Sequence, residues 1–253
     1  MSALLERFNH ICERLEAAVL RSGRKIDAVR LVAVSKTHAA PALVELAAYW
    51  AGKGLPLFGE SYMQEARDKM PEVNALLAGQ GIAPPEWHFV GHVQSKKARD
   101  IVGHFSLIHS LDSLKLAQSM HRAWEKHVAG QPVGLHDAAP APQKVLLQVN
   151  VGREAQKSGA DPDELEALLN ALSALPGLAV EGLMCLPPLQ EIGEHSRPYF
   201  TMLRQLRDTL ESACGLKLPH LSMGMSDDFE AAVEEGATLV RIGTDIFGKR
   251  QAR

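Results

Sequence analysis

Leu31-Val32-Ala33-Val34-Ser35-Lys36 is an apolar run that ends on a lysine. Its apolar residues are continuous instead of alternating, which is the pattern of a strand buried on both faces. Strands of that kind belong to parallel sheets covered by helices. The run therefore reads as the first strand of an α/β protein. Before it, Leu4, Leu5, Phe8, Ile11, Cys12, Leu15 and Val19 recur at spacings of three and four, which predicts an amphipathic helix that Gly23 stops. After it, Pro41 suits the first turn of a helix running through Leu43, Val44, Leu46 and Ala47.

The same unit repeats to the end of the chain. Strands are predicted at Leu57-Phe58-Gly59, Trp87 to Gly91, Phe105 to Ser110, Lys144 to Asn150, Leu178 to Cys185, His220 to Gly224 and Thr238 to Ile242. Helical patterns separate them: Tyr62 to Leu77, Gln94 to Val102, a helix capped by Asp112 or Ser113 that reaches Val128, Pro162 to Ala174, and Ser196 to Ala213. A further helix is expected after Ser226 as N-cap, with Asp227 and Asp228 in its first turn. Residues Ala129 to Gln143, rich in Gly, Pro and Ala, have no hydrophobic period and read as a mobile loop within one domain. Eight strands alternating with helices predict a single (β/α)8 TIM-type barrel with an extra N-terminal helix, one domain over residues 1–253. A doubly wound open sheet is the competing architecture. It usually carries a Gly-rich phosphate turn after its first strand, where this chain has Ser35-Lys36-Thr37-His38.

Composition narrows the function classes. The chain has 253 residues, 46% hydrophobic and 23% charged, with a net charge of -3, so no broad basic excess invites nucleic acid. Cys12, Cys185 and Cys214 are too scattered for a disulfide framework and favour a reducing compartment. The charged N-terminus lacks the apolar centre of a signal peptide, and no apolar run approaches the ~20 residues that span a bilayer. A cytoplasmic protein without membrane association is the expectation.

In a barrel the C-terminal ends of the strands share the face where chemistry occurs. Lys36 sits at that end of the first strand. Partial desolvation beside apolar residues favours its neutral amine and makes Schiff-base formation with an aldehyde feasible, although a solvated lysine leaving a strand has the same pattern. Gly243 and Thr244, after the last strand, permit close backbone approach and offer a hydroxyl and an N-cap to an anion, with Ile246-Phe247-Gly248 as a short helix; a capped turn without ligand is the alternative. Ser222 places a second hydroxyl toward that corner. Arg241 is the least expected residue, because it interrupts an apolar strand and cannot shed its charge. Either an acidic side chain inside the barrel or the ring nitrogen or phosphate of a cofactor would satisfy it. Lys157 after the fifth strand is a second amine near the mouth, with an ordinary loop lysine as the alternative. His88 and His92 are four apart across a strand and turn, a weak arrangement for a metal, and none is expected. Cys185 ends the sixth strand as a buried or accessible thiol.

The stretches LVAVSKT, FGESYMQEA, WHFVGHVQSKKA, IHSLDSLKLA, LLQVNVGREAQKSG, GLMCLPP and LSMGMSDDFEAAVEEGATLVRIGTDIFGKR resemble the pyridoxal phosphate homeostasis family, which is similar to the N-terminal barrel of alanine racemase. The resemblance covers nearly the whole chain. It implies that Lys36 forms an internal aldimine with pyridoxal 5'-phosphate, that Ser222, Gly243 and Thr244 bind its phosphate, that Arg241 faces the pyridine nitrogen, and that Met223 lies beside the cofactor. Ser61 and Lys96 stand where the family usually has asparagine, departures that touch neither the aldimine nor the phosphate positions.

Two function classes follow from these residues. An arginine at the pyridine nitrogen leaves the ring a weak electron sink, and racemisation needs a second acid/base on the opposite face of the substrate. In alanine racemase that group is a tyrosine from an additional C-terminal domain, and this chain is expected to lack such a domain because it ends at Arg253, just after the barrel. Tyr49, Tyr62 and Tyr199 are assigned away from strand ends. The expectation is a monomeric binding protein that buffers or delivers pyridoxal phosphate, possible recipients being enzymes that require it, without strong catalytic activity. A small racemase or lyase acting on amino acids is the alternative; a Schiff-base aldolase is disfavoured because the sixth strand offers no lysine.

Overall fold

A computed structural model describes residues 1–130 and 140–248. Helix α1 (Ala3–Arg21) precedes eight strands: β1 (Arg30–Val34), β2 (Leu57–Glu60), β3 (Glu86–Phe89), β4 (Leu107–Leu111), β5 (Gln143–Val149), β6 (Leu178–Cys185), β7 (His220–Ser222) and β8 (Leu239–Ile242). They pair in parallel and in sequence order into a closed barrel, so the (β/α)8 reading with its extra N-terminal helix holds and the open sheet is excluded. Closure sets β8 beside β1, with Val32 opposite Arg241 and Ala33 opposite Ile242.

The connecting helices are α2 (Ala40–Ala51), α3 (Met63–Ala78), α4 (Ala98–Ile101), α5 (Leu114–Ala129), α6 (Leu165–Leu172), α7 (Arg197–Cys214), α8 (Phe229–Glu234) and α9 (Thr244–Phe247). Ser113 caps α5 by accepting from the Leu116 N–H, which selects it over Asp112. Two expected caps are corrected. Ser226 does not cap α8: Asp228 holds that position, its carboxylate reaching back to accept the Met225 N–H at 2.6 Å and so closing the loop on itself. Thr244 is the first residue of α9 and Gly243 is its cap. The segment from Gln94 to Val102 divides into a 3-10 turn at Ser95–Lys97 and the short α4. The expected loop has its borders at the end of α5 and the start of β5, and residues 131–139 within it lie outside the described residues.

Alternation along the strands builds two cores. Val32, Leu57, Leu107, Leu146, Met184 and Leu239 point inward as one buried cluster, and a larger cluster fills the layer between sheet and helices. The lumen is thus packed at that level, and a ligand has access only at the strand ends. Gly182 shows how tightly the barrel closes. Its φ of 152° and the register shift between Val145 and Leu146 occur together, and a Cβ there would collide with the His220 carbonyl of β7. Gly182→Ala is expected to lose about 3 kcal/mol of stability, measured as a lower urea midpoint at unchanged slope.

Candidate functional site

Lys36 lies two residues beyond β1, half-buried at the strand-end mouth. The backbone on both sides of it is clamped by one buried ammonium. Lys69, on α3, donates to the Ser35 carbonyl at 2.9 Å, to Glu60 Oε1 at 2.9 Å and to Glu65. Glu65 in turn accepts the Thr37 N–H at 2.7 Å, and the Ser35 hydroxyl donates to Glu60 at 2.7 Å. These bonds matter because Thr37 has φ 68°, a left-handed conformation that costs a β-branched residue about 1–3 kcal/mol. The strain is confined to the residue after the lysine, where it sets the direction in which the chain leaves the mouth. Glu60 is fully buried with Oε2 unpartnered, and burial pushes its carboxyl above the ordinary range while Lys69 pulls it down.

The β8 end packs directly on this turn. A Cβ built on Gly243 would stand 3.3 Å from the Val34 carbonyl, tighter than ordinary contact, so glycine lets the last loop approach the end of β1. The His38 and Phe247 rings stack at 4.8 Å, tying the loop after Lys36 to α9. Thr244 is exposed at the start of α9, where the Ile246 and Phe247 N–H groups both donate to the Gly243 carbonyl. Lys36 and the Gly243-Thr244 corner are therefore brought together, as the strand order requires.

Arg241 is 5% exposed within the barrel. Its Nη1 donates to Ser222 Oγ at 2.6 Å and its Nη2 to the Cys185 carbonyl at 3.0 Å. Among the described residues no carboxylate lies within 4.0 Å of it, so the acidic-partner reading fails. Burial lowers its pKa, with Cys185 and Asp228 opposing. A guanidinium cannot deprotonate here, and two of its five N–H donors are taken by these bonds. A buried cation without a directly bonded carboxylate, offset at longer range by Asp228, on the strand paired with β1 fits an acceptor nitrogen or a phosphate. The donor set thus suits an anionic heteroaromatic aldehyde: an amine at the mouth, a cation in the floor, and a glycine-built corner.

Ser222 is fully buried, and its hydroxyl is committed to Arg241 and to His109 Nδ1 at 2.9 Å. A phosphate contact there would compete with those bonds. Met223 is buried just past β7, its N–H donating to the Leu239 carbonyl at 3.1 Å. Lys157 is paired with Glu154 at 2.7 Å and donates to the Pro187 carbonyl at 3.2 Å. His88 and His92 do not converge: His88 points into the barrel, whereas His92 approaches Ser158 at 3.3 Å. Cys185 is fully buried, and burial pushes its thiol up to about 12, which makes it inert. Ser61 sits against Gly91, where its carbonyl leaves no room for a Cβ, and Lys96 is exposed. Tyr49 bonds Asn9, and Tyr199 is on α7, but Tyr62 lies two residues past β2 and is 52% exposed, closer to the mouth than its helix assignment implied. The Glu60–Glu65–Lys69 clamp was absent from the sequence reading, although a glutamate closing the apolar run Leu57-Phe58-Gly59 is the signal that marks it.

The family described as "Alanine racemase, N-terminal domain" matches residues 5–251. The pyridoxal phosphate homeostasis protein of Aquifex aeolicus is 40% identical over 247 residues, covering 97% of this chain and 98% of that one. Its namesake in Pseudomonas aeruginosa is 43% identical over 252 residues, covering 99% and 97%. Among solved structures, PipY of Synechococcus elongatus with PLP bound is 37% identical at a TM-score of 0.73, covering 94% of this chain and all of that one. Alanine racemase from Corynebacterium glutamicum, 18% identical with a TM-score of 0.62, shares the fold over 96% of this chain and 62% of its own. Among the described residues no helix is long and apolar enough to cross a membrane.

Proposed function

The chain belongs to the alanine racemase N-terminal-domain family and to the pyridoxal phosphate homeostasis proteins, and from that premise we propose that it is a cytoplasmic, monomeric carrier of pyridoxal 5'-phosphate, held covalently on Lys36. The observation that carries the reading is Arg241: a buried cation with no directly bonded carboxylate, on the strand paired with β1, which leads into Lys36. When bound, the cofactor would supply an aldehyde with which the Lys36 amine would condense reversibly, with loss of water. Gly243 and Thr244 would supply the phosphate corner, and Met223, buried just past β7, would lie beside the cofactor. A guanidinium donates a hydrogen bond to the ring nitrogen without giving up its proton, so the bound ring is a weak electron sink. That chemistry favours storage and hand-over to enzymes that need the cofactor over turnover of a substrate, and residues 1–253 act as one binding domain.

The test is the absorption spectrum of the purified protein before and after borohydride, followed by peptide mapping. A pyridoxyl group on Lys36 is expected; none, or one confined to another lysine, overturns the reading. Tyr62 at the mouth is the observation that favours the second reading, an amino-acid racemase or lyase. A panel of amino acids separates the two: enantiomer interconversion or elimination at enzymatic rates, lost in Lys36→Ala, would replace the carrier by the enzyme.

A further inference from the structure

A line of hydrogen bonds crosses the barrel interior. Arg241 Nη1 meets Ser222 Oγ at 2.6 Å, Ser222 Oγ meets His109 Nδ1 at 2.9 Å, His109 Nε2 meets His88 Nδ1 at 2.9 Å, and His88 Nε2 meets Glu86 Oε1 at 3.0 Å. His109 is on β4 and Ser222 on β7, strands that are not neighbours, so this link passes through the lumen. The line ends at the opposite mouth, where Glu86 begins β3 and pairs with Arg30. Everything between is buried: His88 is 2% exposed, and His109 and Ser222 are fully enclosed.

The two ends fix the direction of every proton. Arg241 has donors only, and ionised Glu86 has acceptors only. The hydrogen bond from His88, aided by Arg30, holds the Glu86 carboxyl well below the usual carboxylate range despite its partial burial. His88 must therefore donate from Nε2 to Glu86 and accept at Nδ1. His109 must donate from Nε2 to His88 and accept at Nδ1 from the Ser222 hydroxyl, whose oxygen accepts from Arg241. Both imidazoles are then neutral, and each link has one donor and one acceptor. Adding a proton to His109 would turn a second donor on Ser222 Oγ and leave the serine hydrogen without its acceptor. Arg30 on β1, Glu86 on β3, His220 on β7 and Arg241 on β8 are the charged and titratable groups that reach the two rings. Of these only Glu86 favours protonation, at the far end, and burial opposes it at both rings.

We propose that Glu86, His88, His109 and Ser222 are positioning residues for Arg241, forming a hydrogen-bond chain of fixed direction that holds its guanidinium in one orientation as donor to the ring nitrogen of bound pyridoxal phosphate. The target of the chain rests on the function proposed above; its direction does not. A side chain that merely filled space would keep the barrel intact without fixing imidazole tautomers or touching the electronics of a ring on the other side of Arg241.

The direction is tested on ligand-free full-length protein by nitrogen-15 NMR of labelled histidines. His88 and His109 are expected as Nε2–H tautomers that do not titrate from about pH 6 to 8.5. An Nδ1–H tautomer or a titrating ring at either position overturns the chain, whatever the protein binds. The positioning role is then read from the ring-nitrogen resonance of labelled pyridoxal phosphate on the wild type, His109→Leu and His109→Gln. The leucine variant is expected to displace that resonance and to release the cofactor about tenfold faster. The glutamine amide can accept from Ser222 and donate to His88, so it is expected to move both readouts back toward the wild type, and it remains available if the leucine variant does not fold. A ring resonance unmoved in a folded His109→Leu protein overturns the positioning role. A wild type that binds no pyridoxal phosphate overturns the proposed function, and the target of the chain with it, while the tautomers stand as measured.

Discussion

Lys36→Ala is expected to abolish borohydride-stable attachment of pyridoxal phosphate while leaving the barrel folded. The Lys36 side chain is half-buried at the mouth, and the bonds that shape its turn run through the Ser35 carbonyl and the Thr37 N–H. Alanine keeps all of them, so the turn is expected to hold its shape. The other amines nearby are poorly placed to substitute. Lys69 is 6% exposed and spends its donors on Glu60, Glu65 and the Ser35 carbonyl, and Lys157 is held by Glu154 and Pro187. Arg241 and the Gly243-Thr244 corner remain in the variant, so reversible binding is retained. With the covalent link gone, release is expected to be about 10²- to 10⁴-fold faster, because two contacts no longer act on one tethered ligand. Mass spectrometry after borohydride reads the first effect and stopped-flow transfer to a trapping apoenzyme the second. A wild-type yield of adduct on the variant would move the attachment point to another lysine.

The barrel was legible because its strands announce themselves. Leu31 to Val34 is an unbroken apolar run of the kind that a doubly covered parallel sheet requires, and Leu178 to Cys185, broken only by Glu181 and Gly182, gives β6 its predicted bounds. Lys36, Arg241 and Gly243 stand out in the sequence for the opposite reason: each breaks the pattern of its segment. What escaped is what depends on distance across the fold. Glu60 and Lys69 are nine positions apart on different elements, and no periodicity links them. His88 and His109 are 21 positions apart on different strands, and only closure of the sheet turns the inward side of β4 toward β7. The Ser222 hydroxyl was expected at the phosphate corner; in the structure it bonds Arg241 and His109, an arrangement set by side-chain rotation that strand position does not fix. Asp228, not Ser226, holds the α8 cap position, and its carboxylate fixes the loop before the helix by accepting the Met225 N–H without capping a helix N–H.

Arg241→Met is expected to make the ligand-free protein more stable and a poorer carrier. Several kcal/mol of hydration are forfeited when a cation is buried, and here the direct partners are a hydroxyl and a carbonyl, with Asp228 returning part of the loss at longer range. Methionine has similar length, is flexible enough to fill the space, and needs no hydrogen bond. Against that gain stands the Cys185 carbonyl, which loses its donor from Arg241 at a cost of about 1–3 kcal/mol. Ser222 still donates to His109, so its hydroxyl keeps one partner. The balance is expected at about 1–3 kcal/mol in favour of the variant, read as a higher urea midpoint. Cofactor retention should move the other way, since a charge-assisted hydrogen bond is worth about 1.5–3 kcal/mol, roughly 10- to 100-fold in affinity. A variant that is less stable without ligand would show that Arg241 earns its place in the fold; opposite signs in the two measurements would show that its burial is a cost retained for the ring nitrogen it faces.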